Sequence, residues 1–216
     1  MQKKGTLSVV MPNYNHGHYI QEALEAILSQ SFSPSEVIVI DDGSTDNSVQ
    51  IIEGIAEKNP SVKFYRNVKN KGVWYSSNRG AKIATGEYIY FCAADDRVCP
   101  GFFEKSVKIL NQNPQAGLSS ALLKIIGKDG NDEMWAKTPV ISSTECFLSP
   151  DQIRRTLLKH GFWFTGHTAI FRREYVVKDN DTDVWDPNLY QFADHIVTMI
   201  AATKHGACFI PEILAA

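Results

Sequence analysis

Apolar runs and helical periodicities alternate through the first half of this chain. Residues 7–11 are apolar but for Ser8 and end at Pro12; residues 37–40 repeat the pattern as Val-Ile-Val-Ile, and 62–66 and 87–91 supply two further strand-like runs. Between these runs the spacing becomes helical. Over 19–30, Tyr19, Ile20, Ala23, Leu24, Ile27 and Leu28 share one face. Ser44 is placed to cap the next helix, whose inward side carries Val49, Ile52, Ile55 and Ala56. Residues 75–84 form a third helix, closed by Gly86. Strand runs that lack polar alternation are buried on both faces, which implies a parallel sheet covered by helices.

The second half is patterned more weakly. Pro100 suits the first turn of a helix running to Gln112, with Phe103, Val107 and Leu110 as its core face. Residues 118–126 read as a strand entering a tight turn at Asp129-Gly130. Residues 129–149 are polar and irregular, 150–160 helical, 169–172 strand-like, and 192–204 helical with Phe192, Ile196, Met199 and Ile200 on one face. The loop over 179–188 carries Asp179, Asp181, Asp183 and Asp186. No internal repeat or linker interrupts the chain. The second half reads as a lobe built onto the sheet, supplying the other wall of a cleft.

With 216 residues the chain fits one domain, and 44% hydrophobic content supports a real core. A net charge of −2, from 22 basic and 24 acidic residues, argues against nucleic acid as a bulk electrostatic partner; a nucleotide needs only a few local groups. Cys92, Cys99, Cys146 and Cys208 form no Cys-x-x-Cys pair, which disfavours a zinc site and suits a reduced, cytoplasmic protein. No signal peptide opens the chain, and no apolar run approaches the ~20 residues that span a bilayer. Peripheral attachment at the inner membrane face stays open, although no anchor is encoded.

The chemistry concentrates in two acidic pairs. Asp41-Asp42 closes the second strand and is followed by Gly43-Ser44-Thr45; Asp95-Asp96 closes the fourth. Adjacent carboxylates repel, so two such pairs just past buried strands point to a cation or a polar ligand. Ligands of open α/β sheets sit beyond the carboxyl ends of the strands, where both pairs fall.

Four ordered segments then carry a family resemblance: SVVMPNYN at 8–15, SQSF at 29–32, VIVIDDGSTD at 37–46 and ATGEYIYFCAADD at 84–96. They resemble the inverting family 2 glycosyltransferases of GT-A fold, closely over residues 6–110 and loosely beyond. The resemblance implies a Rossmann-like, mostly parallel sheet flanked by helices, with a small acceptor-side lobe. It implies a single domain over 1–216, with about 1–98 as the nucleotide-sugar half and about 99–216 as the acceptor half. The implied reaction moves a sugar from a nucleotide-diphosphate donor, UDP-linked, to a hydroxyl of a saccharide or lipid-linked saccharide. Cell-surface polysaccharide or glycoconjugate synthesis is the implied setting.

Roles for individual residues follow from the resemblance. Pro12, Asn13 and Tyr14 lie on the turn after the first strand, where Tyr14 can stack on a base or else pack under a loop. Asp42 is assigned to the base, where it accepts from an imide N–H such as that of uracil, and Asp41 to a supporting role; plain Asp-Gly turn chemistry is the alternative. Asp95-Asp96 matches the family's metal-binding acids. Asp96 is expected to ligate Mn2+ or Mg2+, and Asp95 to contact ribose or metal-bound water. Lys71 and Gly72, in the 67–72 stretch, are expected near the nucleotide, with a surface turn as the alternative. Asn78 belongs to a stretch in which Ser77 replaces the family's arginine; Arg79 either compensates or is solvated. The family's earlier metal-site acid is replaced by Ala93.

The attacking hydroxyl of an inverting transferase must lose a proton to a base. Asp194 matches the family's position, with Ala193 where a glutamate is usual. Asp183 and Asp186 compete with it, and helix capping is its structural alternative. His167 is read as touching acceptor or diphosphate, or as structural. Trp163, Trp185 and Tyr190 are read as sugar-stacking rings, and Trp74 as packing. His16-x-His18 resembles a chelating pair in a solvated loop. The rival readings are a sugar-phosphate nucleotidylyltransferase, which wants a Gly-rich basic loop that PNYNHGH lacks, and a non-catalytic nucleotide-binding scaffold.

Overall fold

The computed structural model describes residues 5–126, 132–135, 139–161, 166–177 and 183–216. In order, the elements of the first half are β1 (Leu7–Asn13), α1 (Ile20–Leu28), β2 (Glu36–Asp41), α2 (Ser48–Lys58), β3 (Val62–Arg66), α3 (Val73–Ile83), β4 (Tyr88–Phe91) and α4 (Phe102–Gln112). The second half adds β5 (Leu118–Ile126), β6 (Asp132–Trp135), β7 (Cys146–Leu148), α5 (Pro150–His160), β8 (Ala169–Arg172), α6 (Arg173–Val176), α7 (Ala193–His205) and β9 (Ala207–Ala215).

The strands form one sheet in the order β3-β2-β1-β4-β8-β5-β9-β7, with β6 paired to β5. The first four are parallel; β1, β2 and β4 are buried along nearly their whole length, as a sheet covered on both faces requires, and β3 forms the more exposed edge. One apolar layer packs α1, α2 and α4 against Leu7, Val9, Met11, Val37 and Val39. The opposite layer packs α3, α5 and α7 against Val10, Ile38 and Ile40. Alternate residues of β1 and β2 thus point into different layers, and both are buried.

Three local expectations are corrected. Ser44 does not cap α2: its hydroxyl accepts from Asn13 Nδ2 and Asn15 N, and the helix begins four residues later. Asp46 instead receives the Ser48 amide at 3.0 Å and the Gly17 amide at 2.8 Å. Pro100 precedes α4, which starts after Gly101 in the left-handed conformation. The second half joins the sheet through β8, which runs antiparallel to both β4 and β5. The irregular stretch includes β6 and β7. β9, which has no strand signal across Pro211, pairs parallel with β5 by bulging out Pro211 and Glu212 between the Ile210 and Ile213 pairings. The Asp129-Gly130 turn and Asp179 to Asp181 lie outside the described residues.

Strand register sets the site. Asn13 pairs with Asp41, and Asp41 with Arg66, so the carboxyl ends of three strands finish level. The 93–96 turn continues from β4 on the other side of β1.

Candidate active site

At the level strand ends, the two carboxylates of the first pair turn to different tasks. Asp41 is fully buried; Oδ1 accepts from Asn13 Nδ2 at 2.9 Å, Oδ2 accepts from Ser44 N at 3.0 Å, and Arg66 Nε lies 3.5 Å away. It holds the β1 turn in place. Asp42 faces the other way. It accepts from Asn67 Nδ2 at 2.6 Å, from Lys71 N at 3.0 Å to each oxygen, and from Gly72 N at 2.7 Å. Gly72 has φ +93°, which a side chain would resist, and α3 starts directly after it. That conformation moves the start of α3 to Val73, ahead of the position expected from periodicity.

A cleft of about 260 Å³ opens over this arrangement. Pro12, Asn13 and Tyr14 form one wall, Asp42 and Asn70 a second, and Ala93 and Ala94 a third. Tyr14 is 42% exposed, so its ring is available rather than packed under a loop. A second cavity of about 170 Å³ shares Pro12, Val73 and Ala93 with the first. Its remaining walls include Asp96, His167, Trp185 and Asp194. The strand-end acids and the C-terminal acid therefore border two compartments that share walls.

Asp96 is partly buried, and burial pushes its carboxyl above the usual aspartate range against the opposing pull of His167. Its Oδ2 accepts from Ala93 N at 3.1 Å and lies 3.2 Å from His167 Nδ1. His167 Nε2 is 3.2 Å from the Ala216 backbone oxygen, which only accepts, so this nitrogen carries a proton. Tyr90 Oη sits 3.1 Å from both His167 Nδ1 and the His167 carbonyl. Burial raises the Tyr90 hydroxyl well above its ordinary value, which keeps it a donor. His167 is thus held on several sides and packs beside Asp96.

Asp194 stands in the first turn of α7, two residues after the N-cap Phe192. Its Oδ1 is 2.9 Å from His195 Nδ1. Gly166 permits the approach of the 166–168 turn, because a Cβ there would lie 2.9 Å from Asp194 Cβ. The competing acids are elsewhere. Asp183 is paired with Lys82 at 2.8 Å, and Asp186 accepts from Asn188 N at 2.9 Å.

Several expected site residues either line neither cleft or are committed to protein partners. Asp95 is exposed, with Oδ1 3.7 Å from His16 Nδ1. The Lys71 ammonium bonds Tyr75 Oη at 3.0 Å and lies over that ring, which lowers the Tyr75 hydroxyl's pKa. Gly72 meets the cleft only through the bond from its amide to Asp42. Asn78 is spent on the backbone of Trp185. Trp185 is no open stacking platform: it is 2% exposed and packs against Trp74 at 5.4 Å and edge-on to Phe91 at 4.9 Å. Its Nε1 has no hydrogen-bond partner among the described residues. His16 and His18 both lie against the Tyr19 ring, at 6.1 and 3.9 Å between centroids. Trp163 and the Tyr190 side chain lie outside the described residues.

Sequence reasoning missed Asn67 and Tyr90. Asn67 follows a strand and reads as a turn residue; Tyr90 reads as an apolar strand position. Only the packed structure shows what their polar ends touch.

Among the described residues no three His, Cys, Asp or Glu side chains converge into a ready cation cage. Asp96 brings one carboxylate to the second cavity. A magnesium-like ion commonly takes one or two carboxylates, with phosphate and water completing its shell. That donor set fits a cation held jointly with a diphosphate.

A mixed, mostly parallel sheet with its cleft at the carboxyl strand ends defines a GT-A fold. The Glycosyl transferase family 2 profile matches residues 8–179, and the chain belongs to that family. It is 31% identical over 182 residues to the uncharacterized glycosyltransferase YibD of Escherichia coli (strain K12), covering 83% of this chain and 52% of that protein. It is 34% identical over 175 residues to the uncharacterized glycosyltransferase alr2836 of Nostoc sp., covering 80% and 52%. The chain spans about half the length of these curated relatives. Its fold matches S. aureus TarS with a TM-score of 0.75 at 24% identity, over 97% of this chain and 59% of that one. It also matches the mannosyltransferase PcManGT of Pyrobaculum calidifontis, solved with GDP-Man and Mn2+, with a TM-score of 0.68 at 21% identity, over 99% and 56%. Among the described residues, no helix is long and apolar enough to cross a membrane.

Proposed function

We propose that this chain transfers a sugar from a nucleotide-diphosphate donor, UDP-linked, to a hydroxyl of a saccharide or lipid-linked saccharide, with inversion. The observation that carries the reading is the pair of clefts with shared walls, one bordered by Asp42 and Tyr14 and the other by Asp96 and Asp194. A donor is long and chemically divided, and so is this groove. Tyr14 offers a ring face to the base. Asp42 offers a buried, acceptor-only edge, which favours a base that presents an imide N–H. TarS, a neighbour in fold, has been solved with UDP and with UDP-GlcNAc, which supports a uridine donor.

In this reading residues 1–98 hold the donor and 99–216 hold the acceptor. Asp96 holds Mn2+ or Mg2+ with the donor's diphosphate, and the cation neutralises charge that gathers on the departing nucleoside diphosphate. His167 sets the orientation of Asp96 rather than touching acceptor. Asp194 takes the proton from the acceptor hydroxyl as that oxygen attacks the anomeric carbon from the face opposite the leaving group. Trp185 and Trp74 give the sugar compartment a rigid apolar wall. Polysaccharide or glycoconjugate assembly is the proposed setting.

A panel of UDP-, GDP- and dTDP-sugars with Mn2+, scored by release of nucleoside diphosphate, tests the donor. The expected result is turnover of UDP-sugars above the others. Product linkage read by nuclear magnetic resonance should show the anomeric configuration opposite to the donor's. Release from no sugar nucleotide, by a protein shown to be folded, contradicts the reading.

A further inference from the structure

Arg79 is half-buried, has protein partners for its guanidinium, and lines neither cleft. Its Nη1 donates to Asn67 Oδ1 at 2.6 Å and to the Arg66 carbonyl at 3.2 Å, and its guanidinium lies over the Tyr65 ring, 5.6 Å from the centroid. A guanidinium only donates, so this bond fixes which way the Asn67 amide points. The amide nitrogen faces the other side, where it donates to Asp42 Oδ1 at 2.6 Å and to Ser76 Oγ at 2.9 Å. Both Asn67 and Asp42 are buried, so neither can exchange these partners for water at low cost. Asp42 in turn gathers the amides of Lys71 and Gly72, and Asn70, within that turn, walls the first cleft.

We propose that Arg79 and Asn67 are positioning residues which, through Asp42, fix the 69–72 turn as a wall of the nucleotide-base cleft. The inference rests on the reading of that cleft as the base site. Asn67 and the Lys71 and Gly72 amides together make four bonds to the Asp42 carboxylate, two at each oxygen, so its orientation is set by the turn. Without the guanidinium, the buried Asn67 oxygen loses its charged partner and the amide is held from the Asp42 side alone. The amide then moves more freely, and the turn anchored through Asp42 loosens with it.

The test compares Arg79→Met, which keeps the aliphatic stem against Tyr65, with Arg79→Lys, which keeps a charged donor. Amide hydrogen exchange is read first, without ligand. Exchange at Lys71 and Gly72 should quicken at least about tenfold in Arg79→Met while the strand amides keep their protection. Calorimetry with UDP and Mn2+ should show affinity about tenfold weaker in Arg79→Met, with much of it restored in Arg79→Lys. Should Arg79→Met fail to fold, Arg79→Gln, a shorter neutral donor, is read in the same two assays. Unchanged exchange at those amides, or exchange quickened equally over the whole chain, overturns the proposal. A folded wild-type protein that binds no nucleoside diphosphate overturns the base-site reading instead, and the exchange result alone then decides the relay.

Discussion

The side-chain amide of Asn78 is bonded at both ends to the backbone of Trp185: Nδ2 donates to the Trp185 carbonyl at 2.8 Å, and Trp185 N donates to Oδ1 at 2.9 Å. Helix α3 of the first half thereby grips the segment that walls the second cleft. Replacing Asn78 by Ala strands two buried backbone groups. Urea unfolding should show a loss of about 2–4 kcal/mol, large for one side chain outside the apolar core. A loss under about 0.5 kcal/mol would mean that water takes over both bonds.

The opposite end of the sheet is locked by another buried acid. Burial alone would raise the Glu36 carboxyl, but bonds from Lys63 Nζ, Ser8 Oγ and Thr85 pull it down to about 2. A lowered folded-state value means that the stabilisation is complete above the ordinary value of 4.5 and is lost as pH falls from there toward about 2. The difference corresponds to about 3 kcal/mol. Glu36→Gln should be less stable than wild type at pH 7 and nearly equal to it below pH ~2. Thermal melts of both proteins over that range check the convergence.

Asp96 carries the reverse sign. Burial holds its carboxyl above the usual range, so the folded protein favours the neutral acid, and charging it as pH rises costs stability. Cation binding needs the carboxylate, so Mn2+-dependent nucleotide affinity should fall as pH drops, beginning above the ordinary aspartate value of ~3.9. Asp96→Asn should lose that pH dependence. At pH 7 it should melt no lower than wild type, because it removes a partly buried charge. A variant that melts much lower would make Asp96 a structural anchor instead.

Asp194→Asn should leave UDP affinity within about twofold and lower transfer by about 10²–10⁴, the range of a lost general base. Steady-state rates and calorimetry on the same preparation separate the two effects. Retained turnover would move the base to another residue.

The parallel half of the fold could be read directly because its cues are local. Unbroken apolar runs require burial on both faces, and Asp41-Asp42 and Asp95-Asp96 mark where those runs leave the sheet. Asp194 was also within reach, as an acid opening a periodic helix. The rest depends on partners distant in the chain. Nothing local to Asn78 shows that Trp185 occupies it. Nothing near Pro211 shows that β9 bulges around it. His167 could be noticed as a histidine beside a strand, but its bonds to Tyr90 and its approach to Asp96 come from separate elements that meet only in the folded chain.

The central claim is that Asp96 and a divalent cation together hold a nucleoside diphosphate in this groove. Calorimetric titration of UDP into wild type and Asp96→Asn, each with and without Mn2+, tests it most directly. Mn2+ should tighten UDP binding to wild type at least about tenfold and do little for the variant. Equal tightening in both proteins, or no effect of Mn2+ on wild type, would contradict it.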